Sequence, residues 1–226
     1  MEPKLIKPII RVGNSAGVIL PKNWINGKAR IELIAKPLNI KKDVLEILEP
    51  YFKDIIGIYL VGSYARGEQT ERSDVDVLAI TSRTNYKIDR GKYNIILISE
   101  DRLENALKND IMPILPMLKE AKALLNSKLI EQYKNRKLNK KNLKPYIELG
   151  KSILNVNRAS IDLDKQWPSN CGDAVAYSLI LRLRGTYIVD CLIKEKTWNN
   201  REFIRIVKKV SGSLKAYEGY LRVKDD

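Results

Sequence analysis

Two aspartates spaced two apart, Asp74 and Asp76, stand at the head of an apolar run that continues to Ile80. On an extended strand such neighbours project to the same face, so their carboxylates repel unless a cation lies between them. Oxygen-only ligation of this kind suits a hard divalent ion, Mg2+ or Mn2+, of the sort that bridges carboxylates to phosphate oxygens. A second constellation precedes the pair. The apolar stretch Ile55 to Val61 gives way to Gly62 and Ser63, where a residue without a side chain lets a ligand approach the backbone and the amides of an opening helix favour an anion. Ser73 and the turn before it would bring the second strand's edge opposite the Gly62 amide. Either feature alone reads more simply as a solvated strand face or a helix cap; together they describe an anion held against a metal.

Composition narrows the chemistry further. The chain has no histidine and only two cysteines, Cys171 and Cys191, which removes His general bases, Ser/His and Cys/His nucleophiles and His-ligated zinc. Any metal must rest on carboxylates. The cysteines lack a CxxC partner and read as small buried hydrophobes. A net charge of +14 fits a polyanion partner as well as it fits a lysine-rich surface. No apolar run reaches the roughly 20 residues of a membrane span, and no signal peptide is evident, so no membrane partner and a cytoplasmic address are expected.

The elements that must position these groups fall into three segments without internal repeats. Residues 1–36 read as short strands: Lys4 to Val12, a GNS turn, Val18 to Leu20, a PKNW corner and Ala29 to Ile34. So small a segment cannot bury its own core, and an intertwined homodimer is the physical expectation. Residues 37–130 begin with a helix whose face carries Val44, Leu45, Leu48 and Tyr51. Strands follow at Ile55 to Val61, Val75 to Ile80 and Asn94 to Ile98, the last two joined by a polar connection holding Asn85 and Asp89. Ser99 caps a further helix bearing Leu103, Ala106 and Leu107, and helical spacing continues from Ile111 to Ile130, bent by Pro113 and Pro116. Lysines dominate Lys134 to Lys144, which reads as a solvated linker or a basic edge. Residues 131–226 show four helical patterns, Tyr146 to Leu154, Asp173 to Ile193, Glu202 to Val210 and Leu214 to Leu221, and so a bundle. The fold class expected is α+β: an N-terminal β-hairpin segment for dimerisation or DNA binding, a mixed sheet with flanking helices, and a C-terminal helical bundle.

The stretch LVGSYARGEQTERSDVDVLAI, Leu60 to Ile80, with its Gly-Ser, ARG and SDVDVL, resembles the signature of the polymerase-beta-like nucleotidyltransferases, especially their minimal prokaryotic branch. The resemblance covers Tyr51 to about Leu107. It implies that Gly62 and Ser63 bind a nucleoside triphosphate, with Ser73 beside them, that Asp74 and Asp76 are the catalytic metal ligands, and that Arg66 supports the phosphates or the loop. The implied reaction is in-line attack of an acceptor on the α-phosphorus with release of pyrophosphate. One departure stands out. The family supplies a third carboxylate from the next strand, and here that position is Asn94, with Asp89 before the strand and Glu100 after it as the nearest substitutes.

The flanking segments carry looser resemblances. IIRVGNSAGVILPKNWINGKARIEL resembles the AbrB/MazE-type swapped hairpin, in which Asn14 and Ser15 would form the turn, Gly17 an unusual backbone angle and Pro21 the strand end. Arg11, Asn14, Ser15 and Lys22, with Lys28, become candidate DNA contacts; dimerisation without DNA is the rival reading. Cys171 to Phe203 is similar to the helical domain that accompanies minimal nucleotidyltransferases, where Arg182, Arg184 and Tyr187 either face the cleft or lie beside a core stripe. The expected function is metal-dependent transfer of a nucleoside monophosphate to protein, RNA or a small molecule, with an antitoxin-like role. A transcriptional regulator with an inactive or nucleotide-sensing fold is the alternative, and an aminoglycoside-type resistance enzyme ranks last.

Overall fold

The computed structural model describes residues 5–33, 38–112, 114–166 and 172–225. It divides into two compact units, Met1–Leu38 and Asn39–Asp226.

The first unit holds one small hairpin. β1 (Ile10–Val12) and β2 (Ser15–Gly17) pair antiparallel with Val12 opposite Ser15. The connection is therefore Gly13–Asn14 rather than Asn14–Ser15, with Gly13 at φ +59°, as a tight two-residue hairpin turn with glycine first requires. That register also starts the second strand at Ser15 instead of Val18. Pro8, which has no N–H to donate, limits pairing on the other side. Gly17 does not take a positive φ, Pro21 caps a single turn of 3-10 helix at Lys22–Trp24, and no strand forms over residues 29–33; Lys4 and Ile34 lie outside the described residues. No described residue of this unit is buried, and Ile6, Ile19, Ile25 and Ile31 are each more than 65% exposed.

In the second unit, Asn39 opens α1 (Ile40–Leu48) by accepting a hydrogen bond from the Lys42 amide. Val44, Ile47 and Leu48 form its buried face, and Leu45 turns outward. The i, i+3, i+4 spacing selects Ile47 over Leu45. The sheet follows as β3 (Ile55–Val61), a short helix α2 (Gly62–Arg66), β4 (Val75–Thr81), β5 (Tyr86–Arg90) and β6 (Tyr93–Ser99). Next come α3 (Glu100–Asn109), α4 (Ile114–Glu120), β7 (Lys122–Leu125) and α5 (Ser127–Lys134). Strand order is β5-β6-β4-β3-β7, with β4 and β6 parallel and the other pairs antiparallel.

Two of these strands interrupt segments read differently from sequence. β5 is polar and lies at the sheet edge, so it shows no apolar alternation; β7 falls inside the run assigned to helix, Ile111 to Ile130. Alternate residues of the central strands face opposite layers. Ile58, Val77, Ala79, Ile95 and Leu97 pack on α1, and Tyr59, Val61, Leu78, Ile80 and Ile98 pack on α3, α4 and α5.

The lysine-rich stretch Lys134 to Lys144 is not a solvated linker throughout. α6 (Lys140–Gln166) begins inside it, and Leu143 joins the core. Asn142 Nδ2 donates to the buried Leu107 carbonyl at 3.1 Å. α7 (Gly172–Ile193), α8 (Asn200–Ser211) and α9 (Lys215–Asp225) complete the helical layer. Apolar residues occur on every side of α7, as expected of a helix with several neighbours. Its Ile180, Tyr187 and Cys191 bury against Phe203, Val207 and Tyr220. Burial pushes the Cys191 thiol up, consistent with an inert core residue; Cys171 lies outside the described residues. No helix among the described residues is long and apolar enough to cross a membrane.

Candidate active site at the Gly62 turn

The ends of three interior strands, β3, β4 and β6, meet at one end of the sheet. Val61 pairs with Asp76, and Asp76 pairs on its other side with Asn94. Val61 is the last residue of β3, and Gly62 turns the chain into α2 at φ +69°, a conformation that disfavours side chains. The turn lies directly on the aspartate: a methyl group at Gly62 would fall 2.3 Å from Asp76 Oδ2. The structure thus brings Gly62, Asp76 and Asp74 together, with Asp74 just outside β4 and exposed, and Asp76 half-buried. Ser63 is the second residue of α2, and its carbonyl accepts from the Gly67 and Glu68 amides. Ser73 instead closes the preceding turn, where its Oγ accepts from the Thr70 amide at 2.8 Å.

Burial raises the Asp76 pKa above the ordinary carboxylate value, and Asp74 and Glu120 add repulsion; a hydrogen bond from Asn94 and the charge of Arg66 offset only part of this. A half-buried carboxylate under such pressure, with a second carboxylate beside it and an amide across the strand, is a donor set that fits a divalent cation. Among the described residues no group of three or more acidic, His or Cys side chains could hold a metal ion. The substitutes expected for the missing strand carboxylate do not reach the site. Asp89 lies on β5 opposite Asn94, two strands from Asp76 or about 10 Å, and pairs with Lys87 at 3.0 Å. Glu100 starts α3 at the far end of β6.

A different carboxylate lies against the Gly62 turn: Glu120, the last residue of α4, which local spacing does not mark and whose oxygens both accept from N–H donors. Its Oε1 accepts from the Gly62 amide at 2.6 Å. Its Oε2 accepts from Arg66 Nη1 at 2.5 Å and from Trp198 Nε1 at 3.2 Å. Arg66 also donates through Nε to Glu68 at 2.7 Å. Burial works against its charge, yet Glu68 and Glu120 outweigh that and raise its pKa. Glu68 in turn accepts from the Asn200 amide at 2.6 Å, where α8 begins. A cleft of about 920 Å3 opens beside this network, lined by Arg66, Glu120 and Trp198 together with Lys119, Lys134 and Lys196.

Of the helical residues singled out from sequence, Tyr187 is buried and, with Arg184, borders a small cavity. It stacks on Phe203 at 5.9 Å and its hydroxyl accepts from the Asn199 amide. Arg66 and Glu68 border the same cavity, and Arg182 buries an Nε without a partner among the described residues. In the first unit, Arg11, Asn14, Ser15, Lys22 and Lys28 are exposed, and Arg11 Nε donates to the Gly13 carbonyl at 2.9 Å.

Residues 41–144 match the family model described as a nucleotidyltransferase domain. A Methanocaldococcus jannaschii protein provisionally named a protein adenylyltransferase is 43% identical over 54 residues, 23% of this chain and 54% of the relative. The chain therefore spans about half the length of the curated relative it matches. Among solved structures, a nucleotidyltransferase-like protein from Exiguobacterium sibiricum superposes with a TM-score of 0.36 at 15% identity, covering 72% of this chain and 60% of that one.

Proposed function

We propose that this chain is a metal-dependent nucleotidyltransferase that moves a nucleoside monophosphate from a nucleoside triphosphate to an acceptor hydroxyl. The observation that carries the reading is the contact of the Gly62 turn with Asp76, inside the segment that matches the nucleotidyltransferase domain. In this reading Gly62 and Ser63 hold the triphosphate, with Arg66 and Ser73 at its flanks. Asp74 and Asp76 hold Mg2+ or Mn2+, which when bound would neutralise charge on the phosphates and orient them. The acceptor oxygen bonds to the α-phosphorus as the bond to the bridging oxygen breaks, pyrophosphate leaves, and the acceptor proton passes to solvent or a nearby carboxylate. The protein's share is positioning and electrostatics, which require neither histidine nor a covalent intermediate. The name of the archaeal relative makes adenosine triphosphate and a protein hydroxyl the first donor and acceptor to test.

The first unit extends the proposal. Its uncovered isoleucines are consistent with a homodimer through the hairpin, and exposed Arg11 and Lys22, with Asn14 and Ser15 at the turn, are consistent with DNA contact. A gel shift at low and high salt tests this: binding that fades with salt is expected, and none at low salt would refute it. The alternative, a regulator that senses nucleotide without transferring it, draws on Asn94 at the strand position opposite Asp76. Transfer of label from α-32P nucleoside triphosphates with Mg2+ or Mn2+ separates the two. Labelling lost in Asp74→Ala, Asp76→Ala supports the enzyme; no labelling by folded protein under any condition supports the regulator.

A further inference from the structure

Glu120 is hard to explain as a structural tie. A neutral Gln could cap the Gly62 amide and meet Trp198, whereas a carboxylate here adds repulsion to Asp76, which already faces Asp74. It also sits at the last residue of α4, where the helix dipole disfavours negative charge. What the charge does is satisfy three donors at once, a backbone amide, a guanidinium and an indole N–H, with its side chain only 9% exposed. Two of those donors, the Gly62 amide and Arg66, are the ones the nucleotidyltransferase reading gives to phosphate.

We infer that Glu120 is a displaceable internal competitor of the triphosphate, held in place by Trp198. This rests on the proposed nucleotide site and adds its regulation. The carboxylate takes the donors; an incoming triphosphate must take them back, which frees Glu120 and breaks its bond to Trp198. The cleft beside it gives the released side chain room, with Lys119, Lys134 and Lys196 on its walls. Trp198 lies in the connection between α7 and α8, so occupancy of the nucleotide site is communicated to the helical layer through Trp198, beside the Arg66–Glu68–Asn200 link. Contacts that fasten Trp198 weaken nucleotide binding, and contacts that withdraw it strengthen binding.

The test is equilibrium binding of non-transferable α,β-methylene analogues of the four nucleoside triphosphates to the full chain with Mg2+. Wild type is compared with Glu120→Gln and Trp198→Phe. Loss of charge-assisted hydrogen bonds of this kind corresponds to roughly ten- to hundred-fold in affinity. Glu120→Gln should therefore bind tighter by about ten-fold or more, and Trp198→Phe, which keeps the carboxylate and an aromatic ring, by roughly two- to ten-fold. A residue with only a structural role would give the opposite sign, since its loss would loosen the turn. If Glu120→Gln does not fold, Trp198→Phe carries the test. Equal or weaker binding by the folded variants, with wild type binding normally, overturns the competitor and leaves the nucleotide site standing. Binding of no analogue by any folded variant overturns both.

Discussion

Replacing Gly62 with alanine should damage chemistry far more than stability. At φ +69° the new side chain occupies a left-handed conformation, worth about 1–2 kcal/mol of strain. Its Cβ would stand 2.3 Å from Asp76 Oδ2, 3.1 Å from Cγ and 3.2 Å from Cβ. Rotating the carboxylate clears the first of these contacts but not the last, so the aspartate and the turn must separate by up to about 1 Å to reach ordinary van der Waals contact. A displacement of that size in a reacting geometry costs on the order of 100-fold in rate. Gly67→Ala is the matched control: Gly67 has φ +72°, yet its Cβ would meet nothing within 4 Å. Both variants should lower the melting temperature by roughly 2–8 °C, but only Gly62→Ala should lose about 100-fold in pyrophosphate release. The reasoning fails if Gly62→Ala keeps more than half its activity, or if Gly67→Ala loses as much.

Asp76→Asn should raise the melting temperature of metal-stripped protein at neutral pH. The raised Asp76 pKa means that the folded state resists ionisation, so stability contributed by this group falls as pH climbs from the unfolded value through the folded one; the variant's advantage should vanish in acid, and a lower melting temperature at pH 7 would contradict it. Asp173 has the opposite sign. Hydrogen bonds from Arg222 at 2.6 and 2.9 Å hold its pKa below the ordinary value, so its contribution is present above the unfolded pKa and disappears as pH falls through the folded one. Asp173→Asn should thus melt lower than wild type at pH 7 and converge with it in acid, by scanning fluorimetry. Asn142→Ala strands the buried Leu107 carbonyl and should cost about 1–3 kcal/mol in urea unfolding, with an unchanged midpoint as the refuting result.

The segments with strong periodicity were readable because local pattern and burial coincide. β3, β4, β6, α1 and α3 appear close to where apolar spacing and, for α3, the Ser99 cap place them. β5 escaped because an edge strand has no second layer to demand alternation. β7 escaped because the four residues KALL lie among helical spacing, and their partner, β3, is more than 60 residues earlier in the chain. The candidate site divides the same way. Gly62, Asp74 and Asp76 carry local spacing; Glu120 has none, since it meets Gly62 only after α3 and α4 have packed on the sheet. A charged residue closing an apolar helix immediately before another apolar run was its single trace. The Ser73 hydroxyl is taken by its own turn, accepting from the Thr70 amide, a local pairing that strand spacing does not reveal.

Asn94, hydrogen-bonded to Asp76 across parallel strands, also bears on how the proposed metal site would answer a shortage of divalent ions. With an amide in that row, one carboxylate finds a neutral companion, and the newly made chain can complete its sheet before any ion arrives. If Asp74 and Asp76 hold a divalent ion as proposed, its loading is a late, reversible step, and a chelator should stop transfer without unravelling the protein. A carboxylate at position 94 would tie maturation to the metal supply, as in proteins whose ion binding is part of folding. Asp and Asn differ by one base in their codons, so selection could choose between a protein that waits for its ion and one that depends on it.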